Sequence, residues 1–140
     1  MHPIYILIIY SLTNLNDLFF GQLGIGKEIK QAFQKPQEGY EGFALKLAFD
    51  TPDNSLEHIW VGNLSYLNGQ FTGVVHNSPV STKEVAIGDT VVVDKQKISD
   101  WMYLDKEVLR GGYTIRAMRD QLSETEKEEF NRSIDFTIED

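Results

Sequence analysis

The stretch Glu57–Asn77, EHIWVGNLSYLNGQFTGVVHN, constrains the fold more than any other part of the chain. Asn68-Gly69 is the residue pair best suited to the two positive φ angles of a type I′ turn, and it separates two runs rich in Val, Ile, Trp, Tyr, Phe and Thr. This predicts a β-hairpin. With Asn68 and Gly69 as the loop, Tyr66 faces Phe71, Leu64 faces Gly73, Gly62 faces Val75 and Trp60 faces Asn77, so one side is large and apolar. The other side pairs Ser65 with Thr72, Asn63 with Val74 and Val61 with His76, as in a half-solvated antiparallel ladder. In this register His58 shares the Trp60 face and His76 lies opposite.

The elements around the hairpin follow from period and punctuation. Phe43–Phe49 alternates, with Phe43, Leu45, Leu47 and Phe49 on one face, and the turn-rich Asp50–Ser55 joins it to the hairpin as a three-stranded meander. Upstream, glycines 21, 24 and 26 interrupt a helical apolar spacing, which predicts a short helix near Asn16–Phe20 and a second over Lys27–Gln34 that ends before Pro36. GQLGIGKE, at residues 21–28, matches neither glycine-rich phosphate-binding spacing. Downstream, Thr90–Val93 and Ile98–Leu104 read as strands. Gly111-Gly112 turns the chain into Tyr113–Met118, read as a further strand. Gln121–Ser133 reads as a helix, with Ser123 and Glu126 forming a capping box, and Ile134–Ile138 alternates as a short edge strand would.

These elements make an α+β fold: a curved, mostly antiparallel sheet, barrel-like if it closes, with helices N-terminal and C-terminal to it. At 140 residues, 41% hydrophobic and 24% charged, the composition is that of one globular domain able to bury a core, so a single domain over residues 1–140 is expected. The run Ile4–Tyr10 is far shorter than the roughly 20 residues of a spanning helix. It reads as a buried strand, which places the protein in the cytoplasm; the alternative is an atypical export signal in residues 1–13.

Composition also removes functions. There is no cysteine, hence no disulfide, thiolate nucleophile or thiolate metal site. Thirteen basic against 21 acidic residues leave −8, which repels phosphate backbones and disfavours nucleic acid. Residues 123–140 carry seven acids and two bases, a local −5 that suits solubility or a basic protein partner.

The set EH-x-W at Glu57–Trp60, F-x-G-x-x-x-N-x-P at Phe71–Pro79, GD-x-V at Gly88–Val91, I-x-DWMY at Ile98–Tyr103 and GGYT-x-R at Gly111–Arg116 resembles the YegJ-like family of bacterial domains of unknown function. The resemblance covers about residues 42–122, leaving an N-terminal extension over 1–36 and an acidic helix and tail over 123–140. It implies a small bacterial α+β domain and implies no reaction. The motif residues Glu57, His58, Trp60, Asn77, Pro79, Asp100, Trp101 and Arg116 are the candidate binding residues. His58, a neutral-pH acid–base group beside a carboxylate, admits structural, binding or catalytic roles. Metal binding is disfavoured because the register separates His58 from His76 and no metal-ligand spacing occurs. Asp100 and Arg116 would form an ion pair near Trp101 if their strands paired.

Two functions are compatible with this reading. One is a non-enzymatic interaction or accessory module, in its sharper form an acidic immunity or inhibitor protein. The other is a small hydrolase or ligand-binding domain with a site around His58. Neither requires a cofactor, and the sequence leaves the oligomeric state open.

Overall fold

The computed structural model describes residues 26–140. The predicted strand at Ile4–Tyr10 and helix at Asn16–Phe20 lie outside them. Helix α1 (Gly26–Gln34) is followed by strands β1 (Tyr40–Asp50), β2 (Leu56–Leu67), β3 (Gln70–Val75) and β4 (Thr90–Val92). A 3-10 turn at Lys95–Lys97 leads into β5 (Ile98–Asp105) and β6 (Val108–Gly111), then helices α2 (Tyr113–Asp120) and α3 (Glu124–Ser133). All strand pairs are antiparallel, in the order β4-β3-β2-β1-β5-β6. The sheet is curved but open, ending at β4 and β6, so the barrel-like alternative does not hold.

Period-2 alternation in β1 and β5 sorts side chains to two covered faces. Leu45, Leu47, Phe49, Trp101 and Tyr103 join Ile29 of α1 in one core, with Ala32 and Phe33 packed against it. These α1 residues follow helical spacing, and the helix stops two residues before Pro36, as its sequence predicts. On the other face Ala44, Met102 and Leu104 pack with Leu109, with Ile115 and Met118 of α2, and with Phe130 of α3. The expected Phe43–Phe49 strand is there, extended at both ends.

The hairpin turn forms as read, with Asn68 at φ 53 and Gly69 at φ 79. Tyr66 faces Phe71 and Ser65 faces Thr72, but further along Gly62 faces Val74 and Val61 faces Val75. A bulge centred on Asn63, at φ 44, takes up one residue; asparagine is among the few non-glycine residues that tolerate this region. The bulge overturns the expected apolar face. Val61 joins Leu64, Tyr66 and Phe71 in the α1-side core, while Trp60 turns to the other core. It also carries His76 to the Trp60 side: the His76 N–H donates to the Trp60 carbonyl at 3.4 Å, and a Cβ placed on Gly62 would lie 2.6 Å from the His76 Nε2. The two histidines are thus not on opposite faces.

Two further expectations need correction. Tyr113–Met118 lies in a helix, because Ile115 and Met118 find a core at helical spacing that outweighs the strand preference of Tyr113-Thr114-Ile115. Strand β6 carried no turn signal: its hairpin with β5 turns at Lys106 and Glu107, both at positive φ (50 and 67) although neither is Gly or Asn. The capping box of α3 is present, with Ser123 and Glu126 each bonding the other's backbone N–H. The alternating tail makes a single parallel bridge, Thr137 to Val108, beside β6.

Candidate functional site

β1 places Lys46 between two alanines of its own face, Ala44 and Ala48, and directly across from both Trp60 of β2 and Asp100 of β5. All three are buried, Asp100 completely. The Lys46 Nζ donates to the Thr114 hydroxyl at 3.1 Å, and this hydroxyl donates to the Asp100 Oδ2 at 2.6 Å. The same Oδ2 accepts the Thr114 N–H at 2.8 Å, while Oδ1 accepts the N–H groups of Trp101 at 2.8 Å and Tyr113 at 3.1 Å. Asp100 accepts in all four of its contacts, as an ionised carboxylate does.

Asp100 is therefore the cap of α2. Gly112, at the N-cap position with φ 64, has no side chain to accept the first N–H groups, and Asp100 takes them from the neighbouring strand. Its charge also sits where the helix dipole favours an anion. Burial raises the Asp100 pKa, opposed by the Thr114 hydroxyl and N–H, the Trp101 N–H and the charge of Lys46. Burial likewise lowers the Lys46 pKa, to about 8, although Asp100 pulls it upward. The Lys46 ammonium also lies 5.7 Å from the centre of the Trp60 ring.

The unfolded chain keeps the Lys46 proton to about pH 10.5 and the folded chain releases it near 8, so in that window the unfolded state binds more protons and stability rises with pH. Urea denaturation of the wild type and of Lys46→Met from pH 7 to 11 should show the stability difference moving in favour of the wild type across the window, by up to ~1.4 kcal/mol per pH unit. A pH-independent difference would refute this.

Glu57 is buried at the start of β2 and holds a loop. Its Oε1 accepts the Val80 N–H at 2.6 Å, and its Oε2 accepts the Ser81 N–H at 2.9 Å and the Thr82 N–H at 2.7 Å. Burial pushes its pKa up, but the three N–H donors outweigh that and leave it below the usual glutamate value. The stabilisation is thus present above the ordinary carboxylate range and lost as pH falls through the depressed value. Glu57→Gln keeps one acceptor oxygen of two, so the Val80–Thr82 amides should exchange with deuterium faster and stability should drop by about 1–3 kcal/mol. Unchanged exchange at these amides would show that the loop is held by other contacts.

His58 Nδ1 lies 2.9 Å from the Ser99 hydroxyl, which donates onward to the Lys46 carbonyl at 3.3 Å. The tautomer of the imidazole decides which of the two groups donates in this contact. Asn77 is buried, and its side-chain amide, like the Trp60 indole N–H, makes no hydrogen bond among the described residues. Pro79 lies in the loop that Glu57 holds.

Trp101 and Arg116 stand apart from this cluster. Trp101 faces the α1-side core, stacked at 5.9 Å on Tyr103. Arg116 does not pair with Asp100, because the α2 helix directs it to backbone carbonyls: Nε to Gly111 at 2.9 Å, Nη2 to Leu109 at 2.9 Å and Nη1 to Glu139 at 3.0 Å. Arg116→Ala removes three charge-assisted bonds and should lower the melting temperature, at a cost of about 2–4 kcal/mol, without releasing α2 from Asp100. Loss of amide protection throughout α2 would contradict this separation of roles.

The candidates thus divide between the two faces of the sheet and do not converge on one surface. Lys46 and Thr114, central to the polar cluster, were not among them. A signal existed: Lys46 interrupts the apolar run Phe43–Phe49 and is flanked on its own face by small residues. Among the described residues, no group of three or more His, Asp or Glu side chains could hold a metal ion, and no helix is long and apolar enough to cross a membrane.

An open antiparallel sheet with α1 on one face, α2 and α3 on the other, and a strand carboxylate capping α2 defines an α+β domain. The chain belongs to the bacterial DUF2314 family, described as an uncharacterized protein conserved in bacteria, whose model matches residues 26–137. That match extends beyond the motif-bearing stretch 42–122 to include α1, α3 and the start of the tail. The chain is 40% identical over 73 residues to the uncharacterized protein YegJ of Escherichia coli K12, covering 52% of this chain and 47% of that one. It is 39% identical over 83 residues to a putative ankyrin repeat protein of Neisseria meningitidis serogroup B, covering 57% of this chain and 32% of that one. It therefore spans less than half the length of either relative. No solved structure matches.

Proposed function

We propose that this domain is a non-enzymatic protein-interaction or accessory module. The observation that carries the reading is that its chemically capable side chains are spent on scaffolding: Asp100 caps α2, Glu57 holds the 80–82 loop, Arg116 binds carbonyls and Ser99 links His58 to the β1 backbone at Lys46. The likeness to part of a longer protein named for ankyrin repeats supports it, since such repeats build extended binding surfaces. The sharper form is an acidic inhibitor or immunity protein in the cytoplasm that masks a basic partner. Exposed Glu124, Glu126, Glu128 and Glu129 on α3 would speed that encounter.

Cross-linking of the full chain in living bacteria, followed by mass spectrometry, tests the reading. A defined protein partner is expected, with capture that weakens as salt rises. Turnover of an ester, amide or phosphoester substrate that is lost in a folded His58→Ala variant would overturn it in favour of a hydrolase.

A further inference from the structure

The C-terminal segment 134–140 crosses the free edge of β6 and the flank of α2. The Thr137 N–H donates to the Glu107 carbonyl at 2.8 Å, and the Leu109 N–H donates to the Thr137 carbonyl at 2.9 Å. Ile134, Phe136 and Ile138 are half-buried against the core that holds Leu109 and Ile115, while Asp135, Thr137 and Glu139 are exposed. At its end, Arg116 Nη1 binds the Glu139 carbonyl at 3.0 Å and Arg119 Nη1 binds the Asp140 carboxylate at 2.9 Å. These are the features of an extended ligand on a sheet edge: main-chain bonds for affinity, alternate apolar pockets for specificity and a terminal charge clamp.

We propose that the β6 edge and the flank of α2 form a docking groove for an extended protein segment, and that residues 134–140 occupy it in cis as a displaceable strap. The groove takes a segment with three apolar residues in alternation followed by an acid, the chemistry of the strap itself. This differs from the basic partner that the net charge favours, because Arg119 selects an acidic end while Arg116 holds the main chain beside it. The strap holds by few contacts: one bridge, three apolar side chains that stay half-exposed, the Arg116 bond to the Glu139 carbonyl, and an ion pair whose Asp140 side chain is 88% exposed. This inference rests on the reading of the domain as an interaction module.

The test uses the full chain carrying Thr137→Pro, which removes the N–H given to Glu107, and a fluorescent peptide of residues 133–140. Fluorescence anisotropy should show saturable binding about tenfold or more tighter to the variant than to the wild type, whose attached strap competes at millimolar effective concentration. A peptide carrying Phe136→Ala should lose that binding, and Arg119→Glu in the variant chain should weaken it. Absence of saturable binding to a folded Thr137→Pro chain overturns the proposal. If that chain does not fold, full-length Phe136→Ala is judged the same way, and failure of both to fold makes the strap an integral element and also overturns it. Peptide binding that fails while a cross-linked partner persists removes the groove and leaves the module.

Discussion

Asp100→Ala should destabilise the fold by about 3–5 kcal/mol, because it leaves the buried Lys46 ammonium without its counter-charge and takes the cap from α2 at once. Urea denaturation gives the magnitude. Amide exchange gives the location: protection should fall first at Tyr113 and Thr114, whose N–H groups Asp100 accepts. The two effects separate in Lys46→Met combined with Asp100→Asn, which removes both charges while keeping an acceptor oxygen for the helix. This double variant should recover much of the loss, since a buried pair replaced by neutral groups costs far less than a pair broken on one side. A double variant no more stable than Asp100→Ala would show that the cap alone carries the effect.

The second large effect is expected at Gly111. Its φ of 72 is one that side chains rarely adopt, and a Cβ there would lie 2.6 Å from the Cε3 of the Trp101 ring and still nearer the Trp101 carbonyl oxygen. That carbonyl cannot move freely, because it accepts the Gly112 N–H at 2.7 Å. Backbone strain and overpacking of about 1–3 kcal/mol each put Gly111→Ala near 3 kcal/mol or above. The same change at Gly88, also at positive φ (87) but with nothing within 4 Å of its added Cβ, isolates the strain component and should cost less. Equal melting temperatures for the two variants would remove the steric half of the argument.

What the sequence disclosed tracks how local each determinant is. Asn68-Gly69 and the Ser123–Glu126 box are read from adjacent or near-adjacent residues whose geometry is self-contained, and both are present. Asn63 bulges the same hairpin without a glycine, a choice visible only once both faces of β2 are covered. Asp100 and Arg116 stand in the right motifs, yet the expected ion pair does not form, because the Tyr113–Asp120 helix rotates Arg116 away and brings Thr114 onto the carboxylate. A polar residue on the alternate face of a strand ordinarily meets water, whereas α2 and α3 exclude water from Lys46. His58 and Trp60 share a face of β2 by strand parity alone, while the contact of His58 with Ser99, 41 residues away, depends on the β1–β5 register.

The Asn63 bulge acts on β2 as a dislocation acts on a crystal row: the residues before and after it are each regular, but out of phase by one. Deleting that single residue would bring the hairpin into the simple register its turn suggests, and would deliver the row holding His58 and Trp60 to the α1 side while handing Ile59 and Val61 to Lys46 and Asp100. An alignment of relatives that runs ungapped through residues 62–65 therefore carries a hidden claim that each of them shares this phase slip, and where one lacks it, identical letters at the positions of His58 and Trp60 would face different interiors.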